Sequence, residues 1–224
     1  MTNVFSKETR QRRVRNIIPI LKEEYPDAGP RLHFSNPLEL LIASILAAQC
    51  TDDKVNQVTR SLFRKYRTAE DYAEADLDEL MEEIHSTGTF RKKALRIKDC
   101  CETIVRQYGG KFPDNMEDLT ALPGVGRKTA NMILVNWYGL PGIIMDTHVI
   151  RVSERIGLTD KNLPDKMEID LMEVVAKKNW SLFSHLLMFH GRAVCVSRKP
   201  KCEICKISNL CDYFREQSRA TRKM

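Results

Sequence analysis

The sequence lacks any hydrophobic run long enough to cross a membrane. Its longest apolar stretch, residues 38–48, is interrupted by Glu39 and Ser44, whereas a spanning helix needs roughly 20 apolar residues. The first residues, MTNVFSKETRQRR, also lack the apolar segment of a secretory signal peptide. These absences exclude a membrane-spanning protein and predict an intracellular protein in a reducing compartment.

Strand-like alternation of apolar and polar residues is absent as well, so a β-sheet is not expected. With 224 residues, 42% hydrophobic and 29% charged, the chain is long enough for one or two domains with a sizeable core. Apolar residues instead recur at helical spacing in two clear sets: Val55, Val58, Leu62, Phe63 and Tyr66, and Leu77, Leu80, Met81 and Ile84. The fold class predicted from these patterns is all-α.

Several segments carry the signal of a helix start, a capping residue followed three positions later by Glu. The pairs are Asn36 with Glu39, Asp76 with Glu79, Asp114 with Glu117, and Asp165 with Glu168. The tetrapeptide GIIM before Asp146 resembles a short strand in composition. Because it has no partner strand of equal quality, we expect it to be a crossover segment.

A glycine hairpin, LPGVG at residues 122–126, opens a predicted helix from Arg127 to Trp137. Gly124 and Gly126 allow the backbone to adopt positive φ and to approach a ligand with no Cβ in the way. The free amides and the positive dipole end of the following helix would suit a phosphate anion. The alternative interpretation is a tight helix connection without a ligand.

Lys128 lies in the first turn of that helix and is a candidate amine nucleophile. A free lysine has a pKa of about 10.4, so attack at neutral pH requires its charged form to be disfavoured. The helix dipole, Arg127 and partial burial would act in that direction, whereas a nearby carboxylate such as Asp146 would oppose it. Asp146 is a candidate catalytic carboxylate, and an N-cap for the helix over residues 149–156 is an equal alternative.

Cysteine is concentrated near the C-terminus. Four of the seven cysteines lie within seventeen residues: Cys195, Cys202, Cys205 and Cys211. This density indicates a metal site rather than disulfides. Zinc sites usually contain two Cys-x2-Cys pairs, whereas one is present here, and four thiolates also suit an iron–sulfur cluster, so the spacing leaves the metal open. The other cysteines are expected to be buried free thiols: Cys50, Cys100 and Cys101.

The net charge of +6 is concentrated in one region. Residues 191–224 hold nine Lys or Arg against three Asp or Glu, a surplus of six, so the rest of the chain is neutral overall. A second basic run consists of Arg91, Lys92, Lys93, Arg96 and Lys98. Two basic regions and a phosphate-type hairpin predict a nucleic acid partner that is held largely by salt-sensitive phosphate contacts.

The segments LPGVGRKTAN and MDTHV and the four-cysteine box resemble the endonuclease III family of helix-hairpin-helix DNA glycosylases over nearly the whole chain. The resemblance implies that Lys128 is the Schiff-base nucleophile and Asp146 the catalytic carboxylate. It also implies a structural [4Fe-4S] cluster on the four cysteines. The hairpin residues expected to hold the DNA backbone, with a monovalent cation as an optional ligand, are Leu122, Gly124, Val125, Gly126 and Arg127.

Further DNA contacts follow from the same resemblance. His148, in the Asp-Thr-His set, has a predicted role in the substrate pocket, with a surface position at a helix start as an equal alternative. Arg198, Lys199 and Lys201 form a basic loop that could lie on phosphates, or a solvated loop that only covers the cluster. The resemblance implies two helical lobes with a DNA-binding cleft between them. Their expected extents are 1–29 packing with the C-terminal lobe, 30–140 as a helical barrel with the helix-hairpin-helix at about 115–137, and 141–224 as the iron–sulfur lobe.

Two loops are candidates for bracing the duplex when a nucleotide is extruded. Gln49 ends an apolar helix just before Thr51, which is expected to cap the next helix, and this element resembles the family's gap-filling loop. The second loop is expected at residues 86–90. There Thr89 stands where the family usually has a bulky apolar residue, which puts a wedge at this position in doubt.

The predicted function is a monomeric base excision repair glycosylase with AP lyase activity, which removes oxidised pyrimidines from double-stranded DNA and cuts 3′ to the abasic site by β-elimination. In a prokaryote it would be cytoplasmic and associated with the nucleoid. One alternative is an adenine-mismatch or other monofunctional glycosylase. Absence of a hairpin lysine, Asp-Gly-Asn in place of residues 146–148, and Glu at the position of Ile45 would mark the adenine-mismatch type. A non-catalytic DNA-binding module is the second alternative.

Overall fold

The computed structural model describes residues 6–221, and within that range the chain is helical with no β-strand. The all-α prediction is therefore confirmed. The α-helices are α1 (Lys7–Glu24), α2 (Pro37–Leu46), α3 (Asp52–Lys65), α4 (Ala69–Glu74), α5 (Leu77–Ile84), α6 (Phe90–Tyr108), α7 (Met116–Ala121), α8 (Arg127–Asn136), α9 (Thr147–Ile156), α10 (Pro164–Val174), α11 (Trp180–Ala193) and α12 (Asp212–Thr221). Single 3-10 turns lie at His85–Thr87, Lys177–Asn179, Cys202–Ile204 and Ser208–Leu210.

The chain divides into two compact units. Unit 1 combines the N-terminal segment up to Gly29 with everything from Pro141 onward, and unit 2 is the continuous segment Pro30–Leu140. Unit 1 is therefore discontinuous in sequence. No helix within residues 6–221 is both long enough and apolar enough to cross a membrane.

Unit 2 is built around α2, whose apolar sequence leaves almost no face for solvent. Leu40, Leu41, Ile42 and Leu46 are fully buried, and α2 packs on α3, α6 and α8. The long helix α6 also packs on α4 and α5. Burial of this apolar face is the main source of stability for the unit, because short helices gain little from local propensity alone.

Unit 1 packs α9 against α11, with α1 and α10 alongside. Phe183, Leu186 and Leu187 of α11 and Ile17 and Leu21 of α1 are fully buried in its core. Arg13 of α1 connects this helix to the start of α12, since its guanidinium donates to both carboxylate oxygens of Asp212 at 3.0 Å. A two-point bond of this kind fixes orientation as well as distance.

Capping explains where several helices begin. The predicted caps Asn36, Thr51 and Asp76 are confirmed, since each side chain accepts the backbone amide three residues on. Two predictions were wrong. Helix α7 is capped by Asn115, which accepts from Asp118 at 3.0 Å, so the start lies one residue later than Asp114. Helix α10 has no side-chain cap and begins at Pro164, a residue preorganised for the first helical position.

Candidate functional site

The hairpin between α7 and α8 is a tight turn fixed to the core of unit 2. The Val125 amide donates to the Leu122 carbonyl at 3.1 Å, and Gly124 between them has a φ of 73°, as in a type II turn with proline before glycine. The buried Cys100 thiol donates to the Pro123 carbonyl at 2.9 Å. Leu122 and Val125 are 2% and 5% exposed, so only their backbones can contact DNA.

The two hairpin glycines differ in conformation, and of the two only Gly124 has a positive φ. Gly124 is left-handed, and a Cβ there would run into the Arg96 side chain. Gly126 has φ −92° and ψ 172°, an extended conformation that any residue can adopt. A Cβ built on Gly126 would meet no described atom within 4 Å. Position 126 therefore faces open space at the start of α8.

Helix α8 begins at this hairpin without a side-chain cap. Its first helical hydrogen bond joins the Ala130 amide to the Gly126 carbonyl at 3.0 Å. The amides of residues 127–129 therefore come before the first hydrogen bond of the helix. Arg127 and Lys128 are both exposed. The start of α8 thus combines amides, the positive dipole end and two cationic side chains, a combination that favours an anion such as phosphate.

Lys128 is the second residue of α8, and its side chain is exposed rather than partly buried as expected. An exposed primary amine at a helix start is accessible to a substrate carbon. The fixed hairpin before it and the buried Ala130 after it limit the movement of its backbone. The geometry therefore offers a positioned amine beside a candidate phosphate site.

Asp146 lies at the start of α9 in unit 1 and caps that helix. Its Oδ1 accepts from the His148 amide at 2.9 Å and from the Val149 amide at 2.7 Å. The side chain is 9% exposed. The capping alternative is therefore confirmed. A catalytic role would have to coexist with it, and the two capping bonds leave this possible because both use Oδ1 and neither uses Oδ2.

His148 is half-buried in unit 1 rather than on an open surface. Its Nδ1 lies 3.0 Å from a guanidinium nitrogen of Arg151, and its Cβ sits so close to α11 that a Cβ at Gly191 would be 2.8 Å away. Burial lowers the pKa of His148, Asp146 opposes that change, and the cations Arg151 and Arg192 reinforce it. The net effect is a lowered pKa, which favours the neutral imidazole.

The four cysteines of the box line a single cavity of unit 1, together with apolar side chains of α9. Burial raises the pKa of Cys202, Cys205 and Cys211, and that of Cys205 to about 11. Four thiolates gathered in such a place require cations to compensate them, which bound iron supplies. The donor set therefore fits an iron–sulfur cluster, with Cys195 as the fourth ligand.

Two arginines that the sequence analysis missed hold the cysteine loop. Arg155 donates to the Val196 and Ser197 carbonyls, each at 2.8 Å, and to the Cys195 sulfur at 3.3 Å. Arg151 donates to the Cys195 carbonyl at 3.0 Å. The available signal was their i, i+4 spacing on α9, which places both on one helix face.

The basic loop beyond these anchors is exposed. The side chains of Arg198, Lys199 and Lys201 all face solvent, and Lys199 has a φ of 52°. The loop is tied at its end, where the Lys201 amide donates to the Val194 carbonyl at 3.0 Å. This surface is open to a polyanion.

In unit 2, Gln49 is exposed with a left-handed φ of 54°, and Thr51 caps α3 by accepting the Lys54 amide at 3.3 Å. The second loop has Gly88 at φ 69° and Thr89 at φ 45°. Thr89 is the residue before α6 and offers no side-chain cap. Both loops therefore turn sharply through a left-handed residue that is not glycine.

The basic run on α6 is less available to a ligand than its sequence indicates. Arg91, Lys92 and Arg96 are exposed. Lys93 is only 3% exposed, and half-buried Lys98 donates to the Ala75 carbonyl at 2.9 Å. Two of the five cations therefore hold the fold, and the predicted phosphate surface is correspondingly smaller.

Comparison with known proteins gives consistent matches. Residues 42–177 match the HhH-GPD superfamily of base excision DNA repair proteins, and residues 195–211 match the iron-sulfur binding domain of endonuclease III. Endonuclease III of Synechocystis sp. is 46% identical over 91% of this chain and 93% of its own length. Endonuclease III of Bacillus subtilis is 44% identical over 84% and 86%. A solved trapped endonuclease III–DNA covalent intermediate superposes with a TM-score of 0.88 at 40% identity, covering 93% of this chain and 99% of that one.

Proposed function

This chain belongs to the endonuclease III family of base excision DNA repair proteins, and on that premise we propose that it removes oxidised pyrimidines from duplex DNA and cleaves the abasic strand. The observation that carries the proposal is the position of Lys128. Its exposed amine lies in the first turn of α8, directly after a hairpin whose amides and charge suit the DNA backbone.

In the proposed reaction the Lys128 amine attacks C1′ of the damaged nucleotide. A nitrogen–carbon bond forms as the glycosidic bond breaks, and the base leaves with the bonding electrons and takes up a proton. Opening of the sugar ring gives an imine between Lys128 and C1′. The imine acidifies the C2′ proton, and loss of that proton expels the 3′ phosphate oxygen, which cuts the strand on the 3′ side.

Asp146 is proposed to assist by its negative charge. A carboxylate stabilises the positive charge that develops on the sugar as the base departs, and it can accept a proton from the attacking amine. The two amides that bind Oδ1 hold the group in one orientation. Preorganisation of this kind avoids the cost of rotating the carboxylate during the reaction.

DNA binding is proposed to be shared among the hairpin, the loops and the basic surface. The hairpin backbone and the start of α8 would hold a phosphate, with a monovalent cation as an optional ligand of the hairpin carbonyls. Gln49 is proposed to enter the duplex beside the extruded nucleotide, together with the loop of residues 86–90, in which Thr89 takes the place of the bulky apolar residue usual in the family. Phosphate contacts are assigned to Arg198, Lys199 and Lys201.

The cysteine box holds a [4Fe-4S] cluster. Bound there, the cluster cross-links a loop that has little hydrophobic core of its own, and the loop presents its basic residues to DNA. The protein is proposed to act as a monomer in the cytoplasm, at the nucleoid, as expected of a repair enzyme whose relatives here are bacterial.

Borohydride trapping tests the assignment of Lys128. The wild-type protein is incubated with a duplex that carries one oxidised pyrimidine, and reduction should convert the imine into a stable protein–DNA adduct. Lys128→Ala should give no adduct, whereas Lys111→Ala, which changes an exposed lysine of the same unit, should trap as the wild type does. Base release without an adduct in the wild type would favour a monofunctional glycosylase, and salt-dependent binding without product would favour a non-catalytic module.

A further inference from the structure

A buried lysine connects the two unit 2 loops that are proposed to enter the duplex. Lys93, in the first turns of α6, is 3% exposed. Its ammonium donates to the Leu46 carbonyl at 2.7 Å and to the Thr87 carbonyl at 2.8 Å. Leu46 is the last residue of α2, three residues before Gln49, and Thr87 ends the 3-10 turn two residues before Thr89.

Both acceptors are carbonyls at the end of a helical segment, where no further amide of the segment is available to bind them. The C-terminal end of a helix also carries the negative end of the dipole, so a cation is favoured there. The Lys93 ammonium binds both carbonyls and places a positive charge at both helix ends. Burial lowers the pKa of Lys93 and the neighbouring Cys50 opposes that change, so charge at this position carries a desolvation cost that an apolar side chain would avoid.

The backbone near both of these carbonyls is strained in the same way. Among residues 6–221, three residues other than glycine have a positive φ, and two of them are Gln49 and Thr89. A left-handed conformation is unfavourable for such a residue and persists only where neighbouring structure imposes it. The Lys93 ammonium binds a backbone carbonyl within three residues of Gln49 and another within three residues of Thr89.

We propose that Lys93 is a positioning residue that fixes the Gln49 loop relative to the Thr89 loop, so that both are ready to enter the duplex together. Lys93 is buried and does not touch the substrate. This inference rests on the proposed function, in which the two loops brace the gap left by the extruded nucleotide. It assigns the coupling of the loops to one side chain and leaves the chemistry to Lys128.

The variant Lys93→Met removes the ammonium and keeps an unbranched apolar stem. Single-turnover base release from a duplex with an oxidised pyrimidine should fall about 10-fold or more, since small misplacements at a reacting site are costly. Imine trapping on a preformed abasic duplex should fall less, because no base has to be displaced. Lys111→Met, which alters an exposed lysine of the same unit outside the basic run, is the control and should behave as the wild type.

A double-mutant cycle separates positioning from general damage. If Lys93 positions the two loops, Gln49→Ala should reduce the rate of base release much less in the Lys93→Met background than in the wild type. The same is expected of Thr89→Ala. Additive losses in both cycles would overturn the proposal. Should Lys93→Met not fold, the same cycles are run with Lys93→Arg, which keeps a donor, and they should show wild-type losses for Gln49→Ala and Thr89→Ala. Diminished losses there would overturn the proposal.

Hydrogen exchange tests the coupling without any reaction. In Lys93→Met, or in Lys93→Arg compared with the wild type if the first does not fold, amide exchange should change in residues 47–51 and 86–90 together. A change confined to one loop, or spread evenly over unit 2, would contradict the inference. If the wild type shows neither adduct nor base release, the proposed function fails, while the exchange result still decides whether Lys93 couples the loops.

Discussion

The two helices that carry the proposed reactive residues begin in opposite ways. Helix α8 of unit 2 starts after Gly126 with no side-chain cap, and its first turn is exposed. Helix α9 of unit 1 starts at Asp146, whose buried carboxylate accepts two amides of the first turn. Both sites are helix N-termini with the same positive dipole end. They differ in whether the protein supplies the negative partner itself.

This difference indicates a division of labour between the two starts. At α8 no side chain of the capping residue binds the first turn, so an anion from outside the protein can interact with the helix end. At α9 the amides are satisfied, so they hold a carboxylate in place instead of binding a ligand. A single residue at the capping position therefore decides whether a helix start binds an anion or presents one.

The largest expected effect is a loss of base release when the charge of Asp146 at the start of α9 is removed. Asp146→Asn keeps an oxygen that can accept the His148 and Val149 amides but removes the charge. Single-turnover base release should fall about 100-fold, as for loss of one preorganised electrostatic group, while stability should change by less than about 0.5 kcal/mol. Rates are measured by quenched flow on a damaged duplex, and stability by urea unfolding.

Asp146→Ala provides the comparison for that variant, because it removes the cap as well as the charge. It should lose about 1 kcal/mol of stability in addition to the activity. If Asp146→Asn retained the wild-type rate while Asp146→Ala lost it, the carboxylate would be a structural cap only, and its assignment as a catalytic group would have to be withdrawn.

A smaller effect is expected from making α8 resemble α9. Gly126→Asp introduces a cap at a position whose φ of −92° accepts any residue and where a Cβ has room. Stability should rise by a few tenths of a kcal/mol, whereas affinity for duplex DNA should fall about 10-fold at low salt, because the new carboxylate occupies the amides and repels phosphate. Fluorescence anisotropy with a labelled duplex measures the affinity.

Two alanine variants show whether the effect comes from charge or shape. Gly126→Ala adds only a methyl group, so any loss of affinity would report a close approach of DNA to the backbone. Gly124→Ala should instead lose stability by about 1 kcal/mol, because φ is 73° there. Equal DNA affinity in Gly126→Asp and wild type would show that the start of α8 does not hold a phosphate.

Much of the fold could be predicted because it depends on local signals. The all-α class followed from apolar spacing, and the caps at Asn36, Thr51 and Asp76 followed from residue type. The family and its cluster were predicted from short contiguous motifs. These are features in which neighbours in sequence are also neighbours in space.

The remaining features depend on distant partners or on the exact backbone. The burial of Lys93 could not be predicted, because a lysine in a basic run looks solvated until carbonyls from two other segments surround it. The anchoring role of Arg155 depends on a loop about forty residues away. Which hairpin glycine has the positive φ could not be predicted, since the sequence context of both allows either sign. The roles assigned to Lys128 and Asp146 stay predictions.

The smallest expected effect is a change in how the stability of the protein depends on pH. The buried His185 of unit 1 has a pKa lowered by burial, with Asp146 opposing that change. The folded protein therefore binds a proton there less readily than the unfolded chain, so this contribution to stability is complete above about pH 6.5 and is lost as the pH falls below it. His185→Gln removes the titration, so its urea midpoint should decline less than that of the wild type between about pH 7 and 5. Parallel declines would show that this histidine does not titrate on unfolding.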